Sequence, residues 1–140
     1  MQNLQHQKDL NGCGIACISN LLDKPYDEIK QDFESKFYTI ERGIRISDIV
    51  KYLNTHGLQY KSKFFNQNKL NKEEADKYSK IENTITLIAK NKKYPLGHYL
   101  LRTKEGWIDP WHNLPSIDKV EAGVRKELPG NPWYVLYPNP

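Results

Sequence analysis

The stretch Leu10–Leu22, LNGCGIACISNLL, decides how the first part of this chain folds. Its apolar residues recur at the three- and four-residue spacing of a helix face, and the stop signal DKP follows directly. We therefore predict a short, buried helix over Cys13–Leu22, with Asn11 or Gly12 as its cap. Cys13 then lies between two glycines at the first turn of the helix, and not inside it.

Downstream of this stretch the chain changes from a helical pattern to a strand pattern. Two amphipathic helices are expected first, in YDEIKQDFESKF and in a segment that Ser47 caps and Gly57 ends. In LQYKSKFF the apolar period becomes two, so every second residue from Leu58 to Phe64 is predicted to face the core. An exposed helix around 72–81 and four more strands, TITLIAK, GHYLLRT, GWIDPW and WYVLYP, are expected to follow.

Length and composition set the class of protein. The 140 residues, 38% hydrophobic and 27% charged, predict a single α+β domain, with a helical half over about 1–57 and an antiparallel sheet over about 58–140. We expect no secretion signal and no membrane segment, since no apolar run approaches the ~20 residues of a membrane span. Two cysteines without a cross-linked framework favour a reduced, cytoplasmic site of action, reached after secretion into a target cell if the protein is exported.

The net charge of +4 makes nucleic-acid binding one function to consider. Lysines alternate with acids along the polar stretch 69–82, and the densest basic run is only Lys90, Lys92 and Lys93. No nucleic-acid motif accompanies the charge. We therefore expect a solvated surface, no nucleic-acid partner, no cofactor and no metal.

Cys13 is placed where a thiol becomes a nucleophile. The thiolate is the reactive form, and the free N–H groups and partial positive charge of a helix start favour an anion there. Gly12 and Gly14 on either side let a substrate backbone approach closely. The alternative is that Cys13 is a small apolar filler and that the glycines only shape a turn. Cys17, one turn deeper on the apolar face, is predicted to be plain core.

A nucleophilic thiol needs a base and a group that orients the base. His98 begins the predicted strand GHYLLRT, and Asp109 ends the next strand, GWIDPW. If these strands pair as a hairpin, His98 and Asp109 fall near its open end, opposite or diagonal to each other. That arrangement follows the Cys-His-Asp logic of a thiol hydrolase. His112 is the rival base, and Asp109 before a proline has the alternative role of a turn former.

Acyl transfer also needs hydrogen-bond donors for the oxyanion. The backbone N–H of Cys13 is one candidate, and a side-chain amide ahead of the nucleophile is another. Gln7 stands six residues before Cys13 and Gln5 eight before it. A glutamine in a polar arm is ordinarily only solvated, so the residues alone leave this role open.

Four segments follow one another in the order and spacing of a known family: Gln7, CGIAC six residues later, GHYLLR and IDPW. Over Gln7–Trp111 the chain resembles the papain-like peptidase domains of bacteriocin ABC exporters and their stand-alone relatives. The resemblance implies a papain-like cysteine peptidase fold, with N-terminal helices packed on a C-terminal antiparallel sheet. Residue by residue, it implies Cys13 as nucleophile, His98 as general base and acid, Asp109 as orienting carboxylate and Gln7 as oxyanion donor.

The resemblance also implies the reaction, which is hydrolysis of a peptide bond after a Gly-Gly pair in a protein or peptide substrate. A narrow cleft that excludes side chains at those positions explains the preference in the family. The chain departs from the exporter pattern at Gly12, where those domains commonly carry an acid, and we expect no transporter segment with it. Free peptidase domains resemble toxins delivered into competing bacteria, which implies an antibacterial effector with a cognate immunity protein.

Three alternatives stay open. The same chemistry would serve a leader-peptide or maturation peptidase for bacteriocin-like precursors. A catalytically silent relative would use the cleft only to hold a peptide. A basic nucleic-acid module would show binding that falls steeply with salt and survives Cys13→Ala.

Overall fold

The computed structural model describes residues 4–139, over which helices pack against one antiparallel sheet. The α-helices in this part of the chain are α1 (Cys13–Leu22), α2 (Tyr26–Lys36), α3 (Ile46–Thr55) and α4 (Lys72–Ser79). Short 3-10 turns, Ile40–Arg42 and Gln67–Lys69, precede α3 and α4. The strands are β1 (Tyr60–Phe64), β2 (Ile85–Ile88), β3 (His98–Arg102), β4 (Trp107–Asp109), β5 (Gly123–Arg125) and β6 (Pro132–Pro138), and they lie in the order β1-β6-β2-β3-β4-β5. The predicted α+β class is confirmed.

Helix α1 begins at Cys13 and ends at Leu22, as predicted. Gly12 is its N-cap and offers no side-chain hydrogen bond, while Asp23 ends the helix in the left-handed conformation, with its N–H donating to Ser19 O. The helix packs on both α2 and β3. Each of its fully buried isoleucines stabilises the fold by about 1.5–3 kcal/mol. This packing holds the start of α1, and with it the thiol, against the sheet.

Strand β3 is covered on both faces. Tyr99 and Leu101 pack into the main core, which the helices α1 to α3 build on one side of the sheet. Leu100 packs on the other side, in a smaller cluster with Tyr94 and Trp107. The strand is therefore a rigid element, and a side chain at its first residue has a fixed position.

The hairpin predicted from GHYLLRT and GWIDPW is present. Thr103 N–H donates to the Gly106 carbonyl oxygen across its turn, at 2.7 Å. The antiparallel register pairs position 101 with position 108, and extending it places Asp109 diagonally across from His98. Both residues therefore lie toward the open end of the hairpin, the diagonal alternative of the two that the sequence left.

Two local predictions about elements need correction. Helix α3 has Arg45 as its N-cap, so Ser47 lies inside the helix and does not cap it. Strand β5 was missed, because three residues with a glycine and one β-branched residue carry too weak a pattern to stand out. The helix expected around 72–81 is α4, which ends at Ser79.

The predicted alternation along LQYKSKFF is wrong beyond its first half. Tyr60 is buried, but Ser62 is exposed and Phe64 is 54% exposed. Strand β1 lies at an edge of the sheet, and Phe65, just after it, supplies the buried aromatic ring. Phe64 instead packs across the strands on Tyr134, with ring centroids 5.2 Å apart.

Candidate active site

Cys13 lies half-buried at the start of α1, where its own N–H has no partner within the helix. The glycines beside it are both close to other side chains. A Cβ on Gly12 would lie 2.0 Å from Tyr26 Oη, and that hydroxyl donates to Asp9 Oδ2 at 2.7 Å. A Cβ on Gly14 would lie 3.3 Å from Ile44 Cδ1, in the loop before α3, and 3.5 Å from Tyr99 Cδ2 on β3. The departure at Gly12 thus has a physical cause: Tyr26 occupies the space that an acidic side chain would need.

His98 is the first residue of β3 and is almost fully buried. Its Nε2 lies 2.6 Å from Asp109 Oδ1. Because Asp109 takes Nε2, the other ring nitrogen, Nδ1, is the one left for the hydrogen bond that His98 shares with Cys13. The structure therefore brings together the three residues Cys13, His98 and Asp109, which come from α1, β3 and β4.

The protonation states of Cys13 and His98 follow from these contacts. Burial raises the pKa of the Cys13 thiol, but the hydrogen bond and positive charge of His98, with backbone hydrogen bonds from Tyr99 and Gly14, outweigh it and bring that pKa below its usual 9.0. Burial lowers the pKa of His98, yet its hydrogen bonds to Asp109 and Cys13 raise the pKa overall to about 9. The geometry favours a thiolate beside an imidazolium.

Asp109 is completely buried and every contact of its carboxylate favours the charged form. Oδ1 accepts from Trp111 N–H at 2.9 Å as well as contacting His98. Oδ2 accepts from Arg125 Nε at 2.6 Å. Burial raises the pKa of this carboxyl, but His98, Arg125 and the Trp111 N–H together lower it far below 3.8. Asp109 therefore does more than form the turn before Pro110.

Tyr94 and Arg125 complete the surroundings of the histidine, and sequence reasoning missed both. The Tyr94 ring stacks on the His98 ring with centroids 4.4 Å apart and planes 8° apart. Tyr94 lies in the loop before β3 and Arg125 on β5, so neither has a spacing relation to the motifs. Only the sheet order β3-β4-β5 brings Arg125 to Asp109.

The rival base and the second cysteine lie outside this arrangement. His112 is exposed, its N–H donates to Glu121 O at 2.8 Å, and a Cβ on Gly123 would lie 2.7 Å from its Cγ. Cys17 is fully buried in the main core and is a free thiol, like Cys13. Burial first, and then the charges of Cys13 and Asp109, raise the pKa of Cys17, so it stays a packing residue.

Gln7 lies at the wall of the same cleft but its amide is already engaged. Its Nε2 donates to the carbonyl oxygens of Asp9 and Leu10, each at 3.0 Å. Its Oε1 is buried and makes no hydrogen bond among the described residues. In this arrangement an oxyanion would have to take over one of the two N–H groups that Gln7 now gives to the loop.

The cleft above the thiol is a cavity of about 350 Å³ that Cys13 and His98 line. Its walls include Arg42–Ile44 and Lys93–Gly97, and no aspartate or glutamate is among its described lining residues. Gly97 has φ +82° and a Cβ there would lie 2.8 Å from the Ile88 carbonyl oxygen, so this wall presents bare backbone next to His98. An extended peptide can approach such a wall closely.

Two further features concern the described part of the chain. Among residues 4–139, no group of three His, Cys, Asp or Glu side chains could hold a metal ion. Over the same residues, no helix has both the length and the apolar character that crossing a membrane requires.

Comparison with known proteins gives a match in structure only. No family model and no curated protein matches the sequence. The structure is similar to the peptidase domain of ComA from Streptococcus, described as a bi-functional ABC transporter involved in a quorum sensing pathway, with TM-score 0.58 and 18% identity over 100% of this chain and 99% of that one. It is also similar to the peptidase domain of Streptococcus mutans ComA, with TM-score 0.51 and 18% identity over 99% of both chains. The chain therefore has the α+β, papain-like fold of these two peptidase domains.

Proposed function

We propose that the chain is a cysteine peptidase in which Cys13 is the nucleophile, His98 the general base and acid, and Asp109 the carboxylate that orients His98. The observation that carries the proposal is the buried 2.6 Å contact between His98 Nε2 and Asp109 Oδ1, which leaves Nδ1 of the ring for Cys13. The likeness in fold to two peptidase domains over the whole chain supports it.

The contacts suggest a sequence of steps. The Cys13 thiolate attacks the carbonyl carbon of the scissile bond, and the imidazolium of His98 gives its proton to the departing amine. A thioester on Cys13 and a free amine result. His98, now neutral, takes a proton from water, the hydroxide attacks the thioester, and the acid product leaves while the thiolate is restored. Asp109 holds the ring in place and stabilises its charged form throughout.

For the oxyanion of these steps we propose the Cys13 N–H and the Gln7 amide. The N–H stands at the first turn of α1, where no helical carbonyl competes for it. Gln7 is buried at the cleft wall, and its N–H···O contacts to the Asp9 and Leu10 carbonyl oxygens have ordinary lengths. Exchange of one contact for an oxyanion replaces a neutral acceptor by a charged one, which is the stronger hydrogen bond.

We propose a Gly-Gly pair as the cleaved site. The resemblance to the exporter peptidase domains supports this preference, and so does the bare backbone at Gly97 beside His98. Quenched fluorescent peptides that differ only in having Gly-Gly, Ala-Ala or Val-Val before the scissile bond test it. We expect cleavage of the Gly-Gly peptide by wild type and by Cys17→Ala, and none by Cys13→Ala. Equal cleavage of all three peptides would refute the preference, and cleavage by Cys13→Ala would refute the mechanism.

For the biological role we propose an antibacterial effector that cuts a protein in a target bacterium and is restrained by an immunity protein. The resemblance to stand-alone peptidase domains supports this role. Producing wild type and Cys13→Ala in a bacterial cytosol tests it. We expect slower growth and new protein N-termini with wild type only. Equal growth with cleavage of a bacteriocin-type precursor would favour the alternative, a leader-peptide peptidase.

A catalytically silent peptide-binding protein is the second candidate. The engaged amide of Gln7 is the observation that favours it, because the side-chain oxyanion donor is not free. Binding of the Gly-Gly peptide to wild type without any cleavage would establish this alternative.

A further inference from the structure

Arg125 and His98 each bind one oxygen of the Asp109 carboxylate. The His98 ring contacts Oδ1 at 2.6 Å, and Arg125 Nε contacts Oδ2, also at 2.6 Å. Each oxygen thus has its own cationic partner, and the plane of the carboxylate is defined from both sides. Without Arg125, Oδ2 would keep only the 3.4 Å contact with Tyr94 Oη, while Oδ1 would keep His98 and the Trp111 N–H.

Arg125 also reaches the ring that covers His98. One of its terminal nitrogens, Nη2, lies 3.4 Å from Tyr94 Oη and 3.4 Å from the His112 carbonyl oxygen. Tyr94 Oη in turn lies 3.4 Å from Asp109 Oδ2. The guanidinium therefore connects the carboxylate that contacts the edge of His98 with the tyrosine that stacks on its face.

The sheet register explains why an arginine on β5 can do this. Asp109 pairs with Gly123, and Trp107 pairs with Arg125, so Arg125 is the diagonal neighbour of Asp109 on the same face. The residue directly opposite the carboxylate is Gly123, and a Cβ there would lie 2.7 Å from His112 Cγ, so His112 fills that position. The side chain of Arg125 is only 20% exposed, so its ion pair with Asp109 is poorly screened by solvent.

We propose that Arg125 is a positioning residue of the active site: by binding Asp109 Oδ2 and the Tyr94 hydroxyl, it fixes the pose of the His98 ring toward Cys13. The inference rests on the proposed function for its catalytic consequence. Its structural consequence, a change at His98 when Arg125 is altered, does not require that the chain cleaves any peptide.

The direction in which loss of Arg125 changes the stability of the His98 imidazolium distinguishes a positioning role from a simple effect of charge. The groups that face His98 are Cys13 from α1, Asp109 from β4 and the Tyr94 ring from the preceding loop, while β2 contributes the apolar Ile88. If Arg125 acted only through its positive charge, its removal would make the imidazolium more stable and the His98 titration midpoint would rise. If Arg125 positions Asp109, its removal weakens the contact of the carboxylate with His98, and the imidazolium and thiolate become less stable.

The test compares wild type, Arg125→Met, Arg125→Lys and the matched control Arg102→Met, all in the full chain. Arg102 lies on β3 and stacks on Trp107, so its loss removes an equal charge without touching Asp109. Two readouts are used: the pH dependence of iodoacetamide alkylation of Cys13, and the ring titration of His98 by NMR. Cleavage of the Gly-Gly peptide is measured in parallel.

For Arg125→Met we expect the midpoint of Cys13 alkylation to rise by about one pH unit, and the midpoint of the His98 titration to fall by about as much. We expect kcat/KM to drop by up to about 100-fold, the cost of misplacing a reacting group by 1 Å. Arg125→Lys should recover most of the shift, since it restores a cation near Oδ2 but cannot reproduce the fork that also reaches Tyr94. Arg102→Met should leave both midpoints unchanged.

Unchanged midpoints in Arg125→Met, or shifts in the opposite direction, would overturn the inference. If Arg125→Met fails to fold, a smaller shift in the same direction in Arg125→Lys supports the inference, and none overturns it. The two proposals fail separately: a wild type that cleaves no peptide but shows the Arg125-dependent shift would refute the peptidase and leave the positioning role in place. Cleavage that is normal in Arg125→Met would refute the positioning role and leave the peptidase.

Discussion

His98 and Asp109 lie diagonally across a two-stranded hairpin, with His98 Nε2 2.6 Å from Asp109 Oδ1 and both side chains buried. Burial makes this contact strong, because water neither screens the two groups nor competes for their hydrogen bond. The contact also settles which ring nitrogen is available to Cys13. The orientation of the proposed base therefore depends on a carboxylate that is on a separate strand.

Asp109→Asn should abolish most of the activity while keeping the shape of the side chain. The amide cannot stabilise the imidazolium and can favour the wrong tautomer, so we expect kcat/KM for the Gly-Gly peptide to fall by about 10³- to 10⁴-fold. Arg125 would also lose its charged partner, and the thermal unfolding midpoint should fall. Steady-state kinetics with calorimetry on the same samples measures both. Activity within a few-fold of wild type would show that Asp109 does not orient the base.

The pH profile of kcat/KM should reflect the shifted groups. Activity requires the Cys13 thiolate, whose pKa lies below 9.0, and the charged His98 ring, whose pKa is raised to about 9. As pH falls, protonation of Cys13 removes activity; as pH rises through about 9, loss of the His98 proton removes it.

Asp109→Asn serves as the comparison for this profile. The Asp109 charge raises the pKa of His98, so its removal should move the alkaline limb to lower pH. Rates for both proteins between pH 4 and 10 would show this shift. An alkaline limb at the same pH in both proteins would contradict the assignment of that limb to His98.

Gly12→Ala should destabilise the fold through Tyr26. The new Cβ would lie 2.0 Å from Tyr26 Oη, and that hydroxyl is held by Asp9 Oδ2. We expect a loss of about 1–3 kcal/mol, the usual cost of overpacking. In a double-mutant cycle, Gly12→Ala with Tyr26→Phe should cost less than the sum of the single changes, since the clashing oxygen is gone. Urea unfolding of the four proteins measures the coupling, and strict additivity would contradict the packing explanation of Gly12.

Cys17→Ala should separate the two cysteines by their effects. Cys17 is fully buried in the core and its pKa is raised, so we expect a loss of about 1 kcal/mol of stability and unchanged kcat/KM. Cys13→Ala should remove activity and change stability little, because Cys13 is only half-buried. Kinetics and urea unfolding of both variants decide the matter. A large loss of kcat in folded Cys17→Ala would mean that the second thiol takes part in the chemistry.

Sequence patterns were sufficient to predict those elements whose structure is determined by the local spacing of residues. The bounds of α1 follow from its apolar period and the DKP stop, and the contact between His98 and Asp109 follows from the hairpin between their strands. The pattern failed at β1, where Phe64 faces solvent and Phe65 the core, because an edge strand is buried only by what happens to lie against it.

Contacts between distant segments could not be predicted in the same way. Arg125 lies 16 residues from Asp109 on a short strand, and only the pairing of β4 with β5 makes them neighbours. The Tyr94 ring on His98 and the Tyr26 hydroxyl over Gly12 are of the same kind. Gln7 lies at the cleft wall, and its hydrogen bonds to the Asp9 and Leu10 carbonyl oxygens depend on a loop conformation that no motif specifies.

The most direct measurement of the central claim is the mass of the intact protein during turnover. An activated ester of an acyl-Gly-Gly peptide is mixed with wild type, the reaction is quenched with acid within its first turnovers, and the adduct is located by fragmentation. The account predicts a mass increase equal to the acyl group, carried by Cys13 and absent in Cys13→Ala. An unmodified protein that turns over the ester, or an adduct on Cys17, would contradict it.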